Sequence, residues 1–342
     1  MPTVLTDEEI INKAFNESSK MELNLPSKLP DIVKAKKREN SRMKLVEKIT
    51  AGYLNSLVKS VPTLDDIHPF YRDMLEIAVG VANTKAALGR ISRAARIIHE
   101  VGKANIYHLR DARNPSDAAS VRRSFFGRVS SLIRGSHDDL VLLSVLRDKM
   151  KDLPTADPDV PTIVLAGYPG VGKSTIVCQV SNAKPQTRSY PFTTQDIMVG
   201  HIIVGHLWIQ IVDTPGILDR PLSERNKTEL LAISALGHLA DIIAFIVDVS
   251  ETNGFFLTDQ KQLYDGIKKT YTDNEIVTFF NKIDISSPSQ LDEAKQFFGD
   301  CVKMSAEKGE GIDLFLAAVK DALSRVKKPE PVSGENEQPM PD

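Results

Sequence analysis

Eight consecutive residues, Gly167-Tyr168-Pro169-Gly170-Val171-Gly172-Lys173-Ser174, constrain the fold of this chain more than any other feature. They fit the pattern G-x-x-x-x-G-K-[ST], with the apolar run Ile163 to Ala166 before them and a helical pattern after. Glycines let the backbone wrap closely, so that successive N–H groups at a helix start point at phosphate oxygens. Lys173 is placed to reach the β- and γ-phosphates, and the Ser174 hydroxyl to ligate Mg2+. A glycine-rich turn is the plainer reading of such a string, and the strand-then-helix context argues against it. Alone, the string implies a nucleoside triphosphate site with Gly167, Gly170, Val171, Gly172, Lys173, Ser174 and Thr175 as candidate contacts.

Two later strings narrow the ligand. Asp213-Thr-Pro-Gly216 follows the run Leu207 to Val212, where an aspartate that holds Mg2+ through water should leave its strand. The Gly216 N–H is then placed to sense a γ-phosphate. D-x-x-G by itself is mostly a turn, and its position after the phosphate loop reverses that reading. Asn281-Lys282-Ile283-Asp284 closes another run, Ile276 to Phe280, at the carboxyl edge of a sheet where such folds bind ligands. The Asp284 carboxylate can accept from both the ring N–H and the exocyclic amine of guanine, whereas adenine offers no matching donor pair. A mismatch leaves buried polar groups unpaired at about 1–3 kcal/mol each. Ser305-Ala306 would add backbone contacts to the base. By themselves these four residues suit a surface turn equally well, so the order of the three strings carries the argument for GTP or GDP as ligand.

The rest of the 342 residues divides in two by pattern and charge. Through residue 152 there are 26 Lys/Arg against 19 Asp/Glu, about +7, and beyond it 17 against 26, about −9. Residues 1–152 show helical periodicity, with apolar sets at Ile49, Tyr53, Leu57 and Val61, at Ile67, Phe70, Tyr71, Met74, Leu75 and Ala78, at Leu88, Ile91, Ala95 and Ile98, and at Val121, Phe125, Val129 and Leu132. Thr6 with Glu9 has capping-box spacing, Pro62 and Pro69 punctuate, Pro115 suits a first turn, and Gly135-Ser136 pairs a stop with a start. An antiparallel helical bundle is expected here. Residues 153–161 carry three prolines and read as a linker. From 162 to about 325, short apolar runs alternate with helical stretches, which predicts an α/β domain with a mixed, mainly parallel sheet. One strand should run antiparallel, because the runs around Gly205-His206 are joined by a hairpin turn. The polar, proline-rich stretch 326–342 is expected to be disordered.

Cys178 and Cys301 have no local partner and no metal-ligand spacing, which argues against disulfide and zinc frameworks. The greasiest run, Ile242 to Val249, is too short to span a bilayer. A cytoplasmic location without membrane association is expected.

Between the phosphate loop and Asp213 lies Tyr190-Pro-Phe-Thr-Thr194, in the place of switch I. This string resembles that of the Obg-type GTPases, whose second threonine, here Thr194, coordinates Mg2+. Coupled to the helical first half, it is similar specifically to the nucleolar GTP-binding protein 1 family in its short, archaeal-type form, over residues 1 to about 325. Functions tied to the long C-terminal extension of the eukaryotic members are not carried over. The resemblance implies a metal set of Ser174, Thr194 and Asp213, and catalytic roles for Lys173, Thr194 and Gly216. It further implies slow Mg2+-dependent GTP hydrolysis, switches at about 185–195 and 216–229, and a role in large ribosomal subunit maturation. The basic half then meets rRNA or ribosomal protein through Lys34, Lys36, Lys37, Arg38, Arg42, Lys44, Arg90, Arg93, Arg96, Arg122, Arg123 and Arg128. Solvated helix faces are the plainer reading of these cations. Aromatic interleaving is sparse, so phosphate and shape contacts are expected over base reading, and DNA is not an expected partner.

Two residues depart from the family pattern. Ile217 stands where many GTPases place a water-orienting glutamine, leaving Arg188 or a partner to supply that function. Gly170 replaces the asparagine that helps hold a monovalent cation in potassium-stimulated relatives, so potassium stimulation is not expected. The alternative to a switch is a scaffold for RNA or protein, stabilised by nucleotide and with little turnover. Membrane trafficking and RNA modification lack any lipidation signal, amphipathic membrane helix or nucleophilic centre to support them.

Overall fold

The computed structural model describes residues 2–151, 157, 160–189, 196–205, 207–219, 225 and 227–326, so Tyr190–Thr194, His206 and the tail from 327 lie outside the described residues. The chain forms two compact units, Met1–Ile67 with Ala78–Lys151, and His68–Ile77 with Asp152–Asp342.

The first unit is helical. Helix α1 (Asp7–Ser19) opens with Thr6 and Glu9 capping each other's end of the first turn, the Thr6 N–H donating to Glu9 Oε2 at 2.8 Å. Helix α2 (Asp31–Lys59) is followed in sequence by α3 (Pro69–Ala78), which belongs to the other unit, and then by α4 (Val81–Asp111), α5 (Pro115–Arg134) and α6 (His137–Lys151). Asn114 caps α5 with Pro115 in the first turn, where a missing N–H costs nothing. Four of the apolar residues expected inside α2 and α5 are only half buried. The buried face of α2 is Met43, Val46, Thr50, Leu54 and Leu57, with Ile49 and Tyr53 only half buried. Thr50 is tolerated there because its hydroxyl donates to the Val46 carbonyl at 2.7 Å. In α5 the core takes Ala118, Phe125, Val129 and Ile133, and Val121 and Leu132 are half buried.

The second unit holds a seven-stranded sheet in the order β2-β3-β4-β1-β5-β6-β7. Its strands are β1 (Thr162–Ala166), β2 (Gln186–Ser189), β3 (Asp196–Val204), β4 (Leu207–Asp213), β5 (Ile242–Asp248), β6 (Glu275–Asn281) and β7 (Val302–Lys303). Strand β3 runs antiparallel to β2 and β4, and every other pairing is parallel. β1 and β5 are buried at every position, as central strands covered on both faces must be. β3 begins six residues before the Ile202 start that the apolar run suggests, and β2, an edge strand of Gln, Thr, Arg and Ser, carries no apolar alternation to announce it. Helices α7 (Lys173–Val180), α8 (Lys227–Leu239), α9 (Leu257–Thr270), α10 (Pro288–Phe298) and α11 (Ile312–Val326) complete the alternation.

The compact units do not follow chain order throughout. Helix α3 lies in the first 152 residues yet packs in the second unit, where Asp73 accepts from Ser234 Oγ at 3.2 Å and His238 Nδ1 at 3.0 Å on α8. Of the expected linker, Asp157 is described and held by Gln210: the Asp157 N–H donates to Gln210 Oε1 and its carbonyl accepts from Gln210 Nε2.

In the first unit Asp7 and His137, at the starts of α1 and α6, are paired at 2.8 Å. Their hydrogen bond holds the Asp7 carboxyl below the usual carboxylate range and lifts His137 above the usual imidazole range. The His137 contribution is complete below about pH 6.5 and is lost as pH rises through its raised value; that of Asp7 is complete above about pH 4 and is lost as pH falls through its lowered value. The thermal midpoint of His137→Ala should therefore fall furthest below wild type near pH 5–6, with the gap closing towards pH 9 in a circular-dichroism melting series. A gap independent of pH would show that the pair adds nothing.

Candidate functional site

The phosphate loop is shaped by backbone that side chains would obstruct. Gly167, Gly170 and Gly172 all have positive φ, at 136°, 76° and 101°. A Cβ on Gly167 would come within 2.5 Å of the Ile246 carbonyl oxygen, and one on Gly172 within 2.3 Å of Asn281 Nδ2. Lys173 opens α7 with its ammonium turned back into the loop, donating to the carbonyls of Gly167 at 2.7 Å and Tyr168 at 3.0 Å. Burial pushes its pKa down, opposed by the charges of Asp213 and Asp219. A cation held on carbonyls in this way is charged matter kept ready for a stronger anionic partner. Tyr168 stacks on Phe255 at 4.0 Å, closing the outer side of the loop, and Val171 is fully buried.

Ser174 and Asp213, two of the expected metal ligands, meet directly: the Ser174 hydroxyl donates to Asp213 Oδ2. Asp213 ends β4 fully buried, and desolvation raises its pKa against the pull of Lys173. Its Oδ1 is buried without a hydrogen-bond partner among the described residues. An orphaned carboxylate oxygen beside a serine hydroxyl fits a hard cation with oxygen ligands, so these two residues suit Mg2+. Thr194, the third expected ligand, lies outside the described residues, as does the Arg188 side chain.

The guanine-side residues come together around Asn281. Its side chain, 2% exposed, donates from Nδ2 to the Val171 carbonyl at 2.8 Å and accepts at Oδ1 from the Ala306 N–H at 2.9 Å. One amide thus ties the phosphate loop to the Ser305-Ala306 loop. Lys282 adopts a left-handed backbone at φ 62° and extends to Asp248 Oδ2 at 2.8 Å and Thr252 Oγ1 at 3.0 Å. The Ser305 hydroxyl, followed by Lys308 at 3.5 Å, holds the Asp284 carboxyl below its usual range, so it is an ionised acceptor at neutral pH. Gly172, Thr175, Asn281, Lys282, Asp284, Ser305 and Ala306 line one cleft of about 270 Å³.

Three participants were not singled out from the sequence. Asp248, within the apolar run Ile242 to Val249, gathers Ser250, Thr252, Asn253 and Lys282, and its backbone is held by buried Gln260. An acid at the carboxyl end of a wholly apolar central strand is the signal that marks it. Asp219 and Arg225 bracket the glycine of D-x-x-G, and Gly216 donates its N–H to Asp219 Oδ2 at 2.6 Å. No periodicity distinguishes those two from ordinary loop charges. Ile217 is 2% exposed, packed rather than facing a substrate.

The basic helices sort their cations. Arg90 is bound to Asp139 through three hydrogen bonds, Arg42 and Arg122 share Glu39, Arg96 reaches Glu100, Lys34 lies near Asp31, and Lys36 donates to the Arg110 carbonyl. Lys37, Arg38, Lys44, Arg93, Arg123 and Arg128 are exposed and have no ion pair among the described residues. No helix among the described residues is long and apolar enough to cross a membrane.

Asn281→Ala would strip the Val171 carbonyl and the Ala306 N–H of their partner together, at about 1–3 kcal/mol for each group left unsatisfied. Guanine-nucleotide affinity, measured by titration calorimetry, should fall at least about tenfold and the melting point should drop. Unchanged affinity would show that the two loops are held together by something else.

Residues 1–157 match the family described as the NOG1 N-terminal helical domain, and residues 162–282 match that described as 50S ribosome-binding GTPase. An uncharacterized protein of Methanocaldococcus jannaschii is 39% identical over 286 residues, which cover 83% of this chain and 80% of that one. Nucleolar GTP-binding protein 1 of Drosophila melanogaster is 32% identical over 274 residues, 80% of this chain and 42% of that one, so the chain spans under half the length of that relative. A crystal structure of a candidate nucleolar GTP-binding protein 1 from Plasmodium falciparum is 33% identical, covering 51% of this chain and 91% of that one with a TM-score of 0.45. With a helical first half and a P-loop GTPase domain matched in this order, the chain belongs to the nucleolar GTP-binding protein 1 family.

Proposed function

We propose that this chain is a Mg2+-dependent switch that binds and hydrolyses GTP during assembly of the large ribosomal subunit. The observation that carries the reading is the Asn281 bridge, which holds a phosphate-binding loop and an ionised guanine acceptor, Asp284, on one cleft. The family description of residues 162–282 and the relatives' nucleolar name support the ribosomal assignment.

In this reading the loop N–H groups and the α7 N-terminus receive the phosphates. Lys173 exchanges its two carbonyl partners for β- and γ-phosphate oxygens, a gain in charge complementarity for a buried ammonium. Ser174 and Asp213 would hold Mg2+, with Thr194 as the third ligand by family resemblance, and the metal would supply neutralisation of phosphate charge. Gly216 offers its N–H to the γ-phosphate. With Ile217 packed inside, no polar side chain follows Gly216 to orient water, so intrinsic turnover is slow and a partner supplies the missing group. GTP hydrolysis by the full chain should accelerate when purified large subunits are added. Equal rates across a range of subunit concentrations would remove the ribosome-stimulated mechanism and favour the nucleotide-stabilised scaffold.

The RNA contact falls to the six unpaired cations rather than to all twelve basic residues, because a cation already satisfied by Glu39 or Asp139 gives up a partner to meet phosphate. The compartment in this reading is the cytoplasm. Affinity for rRNA should fall steeply with salt, and Arg93→Ala, Arg123→Ala and Arg128→Ala combined should reduce the slope of log K against log salt by about 2–3. A triple variant that keeps the wild-type slope would place the RNA elsewhere.

A further inference from the structure

The glycine of D-x-x-G has a single N–H, and in this structure it is already engaged. Gly216 donates to Asp219 Oδ2 at 2.6 Å, across a turn that its positive φ of 73° permits. The other Asp219 oxygen accepts from Arg225 Nη2 at 3.1 Å. The same guanidinium also donates to the carbonyls of Gly216 and Ile217, the latter at 2.7 Å, with its side chain 1% exposed. Between these residues the Leu218 carbonyl accepts from the Gly167 N–H at 3.0 Å, fastening the segment directly to the phosphate loop. The carboxylate is near enough to the phosphate site to act electrostatically on both Lys173 and Asp213.

We infer that Asp219 is a specificity-determining residue: its carboxylate occupies the Gly216 amide that a terminal phosphate requires, so binding GTP demands an exchange of acceptors that binding GDP does not. Two anionic acceptors cannot share one N–H, and inside a water-poor site they also repel. The hydrogen bond to be given up is charge-assisted and therefore among the stronger kind. Arg225 is a positioning residue that aims the carboxylate by gripping the consecutive carbonyls of Gly216 and Ile217 together with Asp219 Oδ1. The ratio of triphosphate to diphosphate affinity is thereby written into the chain rather than left to the phosphate loop alone.

This inference rests on the guanine-nucleotide reading of the site, and one experiment separates the two. The affinities of the full chain for GDP and for a non-hydrolysable GTP analogue are measured with Mg2+ for wild type, Asp219→Ala and Asp219→Asn. GDP binding makes no use of Gly216 and serves as the check that each variant retains a folded site. Asp219→Ala should tighten the analogue relative to GDP by roughly five- to tenfold. Asp219→Asn, which keeps the shape and one acceptor oxygen but not the charge, should shift the ratio the same way by a smaller factor, and it decides the matter if the alanine variant does not fold. An unchanged ratio in Asp219→Asn, or equal shifts for both ligands, overturns the role of Asp219 alone. Wild-type protein with no affinity for GDP overturns the nucleotide reading and this inference with it.

Discussion

One side-chain amide organises this molecule's chemistry. Asn281 lies at the end of β6, donates into the phosphate loop 110 residues earlier and accepts from the loop after β7, 25 residues later, so three segments share one buried group. Its two bonds are inseparable in function, since a buried amide satisfied on only one side would cost free energy instead of contributing it. Gly172 must lack a side chain because this amide stands where a Cβ would go. Asp284 follows Asn281 by only three residues, in the short turn Ile283–Ile285.

Around that bridge the site stores charge in a dry setting. Lys173 and Asp213 are both buried and both have their ionised forms disfavoured by desolvation, yet each is a neighbour that favours the other's charge. Such a pair is poorly satisfied by itself, with the ammonium on carbonyls and one carboxylate oxygen without a partner among the described residues. Residues arranged this way gain from a ligand that brings phosphate and metal together, which is how a binding site can be preorganised without being at its energetic minimum.

How much of this could be read in advance depended on the scale of the signal. Strands buried on both faces declared themselves as continuous apolar runs, and the strings Gly167–Ser174, Asp213–Gly216 and Asn281–Asp284 stand out because each follows an apolar run. The edge strand Gln186–Ser189 was not, since pairing on one side needs no apolar pattern. Helix faces in the first half were misassigned by a residue or so because Thr50, Ala87 and Ala118 outcompete larger neighbours for close packing, and size is what periodicity notices. Asp219 and Arg225 were invisible for a different reason: their meaning lies in backbone groups they hold, and a sequence does not display its carbonyls.

Helix α3 gives the most practical lesson. The proline-rich stretch after residue 152 invites dissection, since composition, charge and periodicity all change there. A fragment starting at that point would nevertheless lose the ten-residue helix whose Asp73 partners Ser234 and His238, exposing one side of α8 just downstream of the D-x-x-G turn. The complementary fragment would carry the same helix with nothing of α8 to receive it. Biochemistry on either piece in isolation would describe a surface that the intact chain does not present, and a faithful excision would require a graft of residues 68–77 rather than a cut.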